Sequence, residues 1–169
     1  MKIRFATPSD AEAIVAINQA GWQTTYRGIF PDEILDTLEM KASRTRADLT
    51  KNPNQTVVFE DETGEILGFA SFEAVRWAEF SERCDCEMRA LYVKPDRQGK
   101  GIGKALLEAT LAEFNKQGKK SMLVNVLEAN ENALNFYLRL GGVPIGSKDF
   151  MLAGATYPQV TLAFEVSCV

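Results

Sequence analysis

The chain has 169 residues, 46% of them hydrophobic and 25% charged, with a formal net charge of −4 and no histidine. That balance suits one soluble globular domain over residues 1–169, and its acidity argues against a nucleic-acid partner, which needs a basic surface. No apolar run approaches the roughly 20 residues that cross a bilayer, and no signal-peptide core follows Met1, so a cytoplasmic protein without a membrane partner is expected. Without histidine, every Ser-His and Cys-His mechanism is excluded, and Cys84, Cys86 and Cys168 lack metal-ligand spacing, so no metal is expected.

In chain order, an opening strand is predicted at Lys2 to Ala6, followed by a capping box with Ser9 as cap and Glu12 three residues later. Ala13, Ile14, Ile17 and Ala20 then mark one helical face. Two further helices are predicted, one starting near Pro31 and one over Ser43 to Lys51. From Thr56 the pattern turns to strand, with Val57-Val58-Phe59, a turn at Asp61 to Gly64, a strand from Ile66 to Trp77, and another from about Asp85 to Val93.

A glycine-rich turn comes next, Gln98-Gly99-Lys100-Gly101-Ile102-Gly103-Lys104, opening a helix predicted over Gly101 to Gln117 with Gly118 as its stop. A strand at Ser121 to Leu127, a helix at Glu131 to Leu140 and two strands, Ser147 to Leu152 and Gln159 to Val166, complete the chain, with a loop at Gly154 to Pro158 between them. A mixed sheet with helices on both faces is the economical arrangement.

Glycines at alternate positions let a backbone approach a ligand and aim its N–H groups at an anion, and the following helix adds its positive end. The turn is not a Walker loop, because Gly103-Lys104 is followed by Ala105 and no hydroxyl stands there for magnesium. Its glycines read G-x-G-x-G, which also departs from the dinucleotide fingerprint.

What remains is Gln-x-x-Gly-x-Gly, met by Gln98, Gly101 and Gly103 directly after Leu91-Tyr92-Val93, and it resembles the coenzyme A loop of the GNAT superfamily of N-acetyltransferases. A second stretch, Asn130-x-x-Ala133-x-x-Phe136-Tyr137-x-x-x-Gly141, looks like that superfamily's second motif. Ile3-Arg4, Ser9-Asp10, Trp22, Tyr26, Gly28 and Pro31 extend the likeness towards the N-terminus. One departure stands out: many members end the second motif with Gly-Phe, where this chain has Gly141-Gly142.

The resemblance implies a GNAT fold, an α/β architecture with a mixed, mostly antiparallel central sheet of about seven strands flanked by helices. It also implies acetyl-CoA as cosubstrate and direct attack of a primary amine, on a small molecule or a peptide, through a tetrahedral intermediate. The amides from Gln98 through Gly99, Lys100, Gly101 and Gly103 to Lys104 would cradle the pyrophosphate. Leu91 and Val93 would pair with the pantetheine through their backbones, and Asn130 would add a polar contact. Tyr137 would protonate the departing thiolate, being neutral at an unperturbed pKa of about 10.

The base is expected at Glu87, early on the central strand, acting through water or holding a cationic substrate, with Glu73 and Asp85 as rivals. Trp22, Tyr26, Phe30 and Glu73 are expected around the acceptor, although Trp22 suits a core position equally well. A homodimer is expected ahead of a monomer. The competing reading is a non-catalytic acyl-CoA-binding regulatory module on the same fold.

Overall fold

The structure, a computed structural model, describes residues 1–166, so Cys168 lies outside the described residues. Seven strands form one sheet in the order β1-β2-β3-β4-β5-β7-β6. The strands are β1 (Lys2–Phe5), β2 (Thr56–Glu60), β3 (Ile66–Ala74), β4 (Cys86–Val93), β5 (Ser121–Leu127), β6 (Val143–Leu152) and β7 (Ala155–Glu165). The helices are α1 (Ala11–Thr25), α2 (Asp32–Asp36), α3 (Ala42–Lys51), α4 (Ile102–Lys116) and α5 (Glu131–Arg139). The pairs β1–β2, β2–β3, β5–β7 and β6–β7 are antiparallel, whereas β4 runs parallel to β5. The expected mixed, mostly antiparallel α/β architecture is therefore present.

The chain gathers into two compact units, Met1–Phe72 with Ala90–Thr110, and Glu73–Arg89 with the residues from Leu111 on. The first buries Ala6, Ala11, Ile14, Ile17, Leu49, Val58, Ile66 and Phe69 together: Ile14 and Ile17 lie on the face that the α1 spacing predicts, Leu49 comes from α3, and Val58, Ile66 and Phe69 come from β2 and β3. Gly68 is required by close approach, since a Cβ there would lie 2.9 Å from the Tyr92 carbonyl oxygen. The helix start differs from the expected Ser9 and Glu12 box. A 3-10 turn at Pro8–Asp10 precedes α1, and the Asp10 carboxylate accepts the Thr7 backbone N–H at 2.7 Å and the Thr7 hydroxyl at 3.0 Å. Arg4 donates to both oxygens of Asp10, so the acid with the strongest partner supplies the box.

The second unit centres on Phe80, Cys84 and Leu123, with Val75, Trp77, Ile145 and Ala163 packed around them. Phe80 explains why β3 ends at Ala74 and not at the expected Trp77: the chain turns through a 3-10 segment, Ala78–Phe80, that drives this ring into the core. The expected loop from Gly154 to Pro158 is not a loop. Ala153 and Gly154, at φ of 49° and 80°, make a tight hairpin turn, and Tyr157 and Pro158 already stand opposite Phe150 and Asp149 in the β6–β7 ladder. Adjacent strands of nearly equal length explain the error, because the turn residues suffice to reverse the chain.

Candidate functional site

In the first unit, β4 ends at Val93 and the chain passes through a 3-10 turn, Pro95–Arg97, into the glycine turn. Gly99 and Gly101 have φ of 73° and 81°, a region open to glycine and strained for other residues, and open space lies where a Cβ would stand. Gly103 is already inside α4. The Gly101 carbonyl accepts the first helical bond, from Ala105 at 3.0 Å. The N–H groups of Ile102, Gly103 and Lys104 thus fall in the first turn, where no helical carbonyl can meet them. Lys100 is exposed, and Lys104 lies 3.7 Å from Glu108. The Gln98 side-chain amide approaches the Val93 carbonyl at 3.4 Å, folding the start of the turn back on the strand end.

Within the second unit, the parallel register of β4 with β5 joins Cys86 to Met122 and Glu87 to Leu123. The aromatic residues expected at the acceptor form one cluster: Trp22 meets Tyr26 edge-on at 5.1 Å, and Phe30 packs 4.8 Å from Tyr26 and 5.7 Å from Trp22. Tyr26 and Tyr92 join their hydroxyls at 3.2 Å. Burial raises the Tyr26 pKa, so this phenol stays protonated in neutral solution.

In the second unit the charged residues converge on Glu87. Glu87 is 2% exposed. Arg76 Nη2 donates to its Oε1 at 2.7 Å, Arg76 Nε donates to Oε2 at 3.2 Å, and Trp77 Nε1 approaches Oε1 at 3.4 Å. The hydrogen bond to Glu87 raises the pKa of the Arg76 guanidinium. Glu73 Oε1 lies 2.9 Å from Arg76 Nε and 3.1 Å from Arg89 Nε, at ion-pair distance but without aligned hydrogen bonds. Two carboxylates and two guanidiniums therefore interlock. A fifth charge, the Lys148 ammonium on β6, rests on the face of the Trp77 indole.

Asp85, the third acid considered as a base, is committed elsewhere. Its Oδ2 accepts the backbone N–H groups of Lys120 at 2.7 Å and Ser121 at 3.2 Å, bonds that lower its pKa and fasten the start of β5. Cys86 follows it on the buried side, its thiol pushed up to about 12 by burial, which makes it a packing residue rather than a nucleophile.

Tyr137 is 7% exposed on α5, edge-on to Phe136 at 5.0 Å and Phe164 at 6.1 Å. Asn130 caps the same helix, its Oδ1 accepting the Ala133 N–H at 3.2 Å. The Gly141-Gly142 departure has a steric cause: a Cβ at 142 would stand 2.9 Å from Phe164 Cζ and 3.0 Å from the Tyr137 carbonyl oxygen. The β7 ring fills the space in which a side chain at 142 would lie.

Sequence reasoning singled out Glu73, Glu87 and the aromatic trio, whereas Arg76 and Lys148 were not among its candidates. The Arg76-Trp77 pair just past the observed end of β3 at Ala74 was a usable signal. Nothing in the sequence pattern brings Lys148 to Trp77, because that contact depends on how far β6 extends.

Residues 17–142 match the acetyltransferase (GNAT) family. The uncharacterized N-acetyltransferase YuaI of Bacillus subtilis is 33% identical over 96% of this chain and 91% of its own length. The L-amino acid N-acyltransferase MnaT of Escherichia coli is also 33% identical, over 96% of this chain and 94% of its own. Among solved structures, an N-acetyltransferase from Staphylococcus aureus superposes with a TM-score of 0.74 at 21% identity, covering 98% of both chains.

Proposed function

The chain belongs to the GNAT acetyltransferase family and is an acetyl-CoA-dependent N-acetyltransferase, and from that premise we propose that its acceptor is the amino group of a free amino acid or a similarly small carboxylated amine. The observation that carries this reading is the interlocked cluster of Glu73, Arg76, Glu87 and Arg89, which offers both signs of charge within a few ångströms. A zwitterion needs both. The relative MnaT, named for L-amino acids, points the same way.

Acetyl-CoA supplies the thioester-linked acetyl group. The glycine turn fits its diphosphate: the first-turn amides of α4 lack helical partners, and Gly99 and Gly101 leave the approach open. On our reading Gln98, Gly99, Lys100, Gly101, Gly103 and Lys104 hold the phosphates, while Leu91 and Val93 offer backbone groups to the pantetheine amides and Asn130 adds a polar contact. Hydrogen bonds to a charged partner contribute about 1.5 to 3 kcal/mol each, so a few of them anchor the nucleotide end.

Glu87 and Glu73 hold the acceptor's ammonium. Both Glu87 oxygens already accept from Arg76, so the amine's proton leaves through water beside the carboxylate and not by direct transfer to it. As the C–N bond forms and the C–S bond breaks, the Tyr137 hydroxyl gives its proton to the leaving sulfur and is recharged from solvent. Trp22, Tyr26 and Phe30 wall the acceptor side with apolar surface. We assign residues 1–169 to a single N-acetyltransferase domain and place the protein in the cytoplasm. A homodimer is supported by the edge position of β6 and by Val143 and Met151, 60% and 61% exposed on it. No helix of the described residues is long and apolar enough to cross a membrane.

Thiol release from acetyl-CoA, measured against free amino acids, polyamines and peptides bearing N-terminal or lysine amines, tests this acceptor assignment. Turnover of free amino acids well above the other classes is expected. Preference for polyamines or peptides would overturn it, and cofactor binding without turnover of any amine would favour the regulatory module.

A further inference from the structure

One cation beside the Glu87 cluster has no ion pair among the described residues. Arg76 is paired with Glu87 and Glu73, and Arg89 is paired with Glu73. Lys148 Nζ is buried and has no hydrogen-bond partner among the described residues, lying instead on the Trp77 indole. Glu79 and Glu87 attract it from beyond bonding distance, Arg76 repels it, and burial lowers its pKa. An ammonium stripped of water and given only a ring face is incompletely compensated, because a cation–π contact returns part of what hydration supplied. Such a group is poised for an anion.

Resting on the amino-acid reading above, we propose that Lys148 is a specificity-determining residue that pairs with the carboxylate of the acceptor, with Trp77 as the platform that holds its ammonium in place. The two arginines add positive potential to the site, but each is already ion-paired with a protein carboxylate, so Lys148 is the cation left to pair with the acceptor directly. The residue belongs to β6, whose register opposite β7 sets Lys148 across from Gln159, so a strand and not a loop fixes its position. A site with one dedicated cation rejects an acceptor that lacks the anion, since the buried charge would then stay unpaired.

The test compares kcat/KM for an amino acid that the enzyme turns over with that for its α-amide, in the wild type, Lys148→Gln and Lys148→Arg, alongside acetyl-CoA affinity by calorimetry and melting temperature to confirm folding. The wild type should prefer the acid. In Lys148→Gln that preference should fall about tenfold or more through a higher KM for the acid. Lys148→Arg, which keeps the charge, should retain part of it. A folded Lys148→Gln with an unchanged acid-to-amide ratio overturns the proposal while leaving the acceptor class standing. Weakened acetyl-CoA binding with an unchanged ratio also overturns it, since the ammonium would then serve a CoA phosphate. A wild type that turns over no free amino acid removes the acceptor reading itself.

Discussion

Arg76 grips Glu87 with two nitrogens, Nη2 at 2.7 Å from Oε1 and Nε at 3.2 Å from Oε2, although the arginine is half in solvent and the glutamate is almost wholly out of it. The pair is lopsided. Removing the arginine leaves a nearly buried charge without its main partner, whereas removing the glutamate releases a guanidinium that water can hydrate. Arg76→Ala should therefore lose about 1 to 3 kcal/mol, below the range for fully buried pairs because the arginine is partly exposed, and more than Glu87→Gln. Urea denaturation of the two variants checks the order, and equal losses would refute the asymmetry.

Tyr137→Phe keeps the ring that packs against Phe136 and Phe164 and removes only the hydroxyl. If that hydroxyl protonates the leaving sulfur, kcat should fall roughly 10- to 100-fold with acetyl-CoA affinity retained. Steady-state thiol release together with calorimetry reads both quantities. An unaltered kcat would take Tyr137 out of the chemistry.

At Gly101 the constraint is conformational, since φ is 81° and open space lies where a Cβ would stand. Gly101→Val should raise the acetyl-CoA dissociation constant about tenfold or more, because a β-branched residue is costly in the left-handed region and would pull the turn amides out of line. Gly101→Asn, which tolerates that region better, should fall between. Isothermal titration separates the three proteins.

Asp10 carries a pH signature. Its hydrogen bond from Arg4, the largest cause, brings its pKa from 3.8 down to about 2. A folded-state value below the unfolded one adds stability that is complete above about pH 5 and fades as pH falls through 4 towards 2. The difference is worth roughly 2 kcal/mol. Asp10→Asn should thus be destabilised by about that amount or more at pH 7, where it also loses the Thr7 bond, and should converge with the wild type near pH 2. Denaturant midpoints across that range decide it.

Gly142→Ala should cost about 1 to 3 kcal/mol, because its Cβ would press on Phe164 Cζ and on the Tyr137 carbonyl. Combining it with Phe164→Leu removes one of the two obstacles, so the double variant should lose less than the two single losses summed. Thermal unfolding of the four proteins closes the cycle, and strict additivity would show that the contact does not matter.

Elements with strong periodicity or clear stops were legible: β5 spans Ser121–Leu127 as read, and α4 falls one residue inside its expected limits at either end. The glycine turn was legible because its chemistry is local, carried by consecutive backbone groups. The charged cluster was only half legible, since Glu87 and Glu73 lie on strands while Arg76 and Trp77 follow the point where β3 yields to the pull of Phe80 on the core. Lys148 was invisible. Its role depends on strand register across a hairpin, and spacing along one strand carries no information about which ring another segment places beneath it.

Asp85 fastens the start of the parallel β4–β5 pair by binding the Lys120 and Ser121 amides, and the Ser121 carbonyl accepts the Asp85 N–H at 3.0 Å. That fastening holds Cys86 and Glu87 in register with Met122 and Leu123. Glu87 therefore meets Arg76 from a backbone already fixed in place, and the carboxylate needs no reordering of its strand before it can serve the reaction.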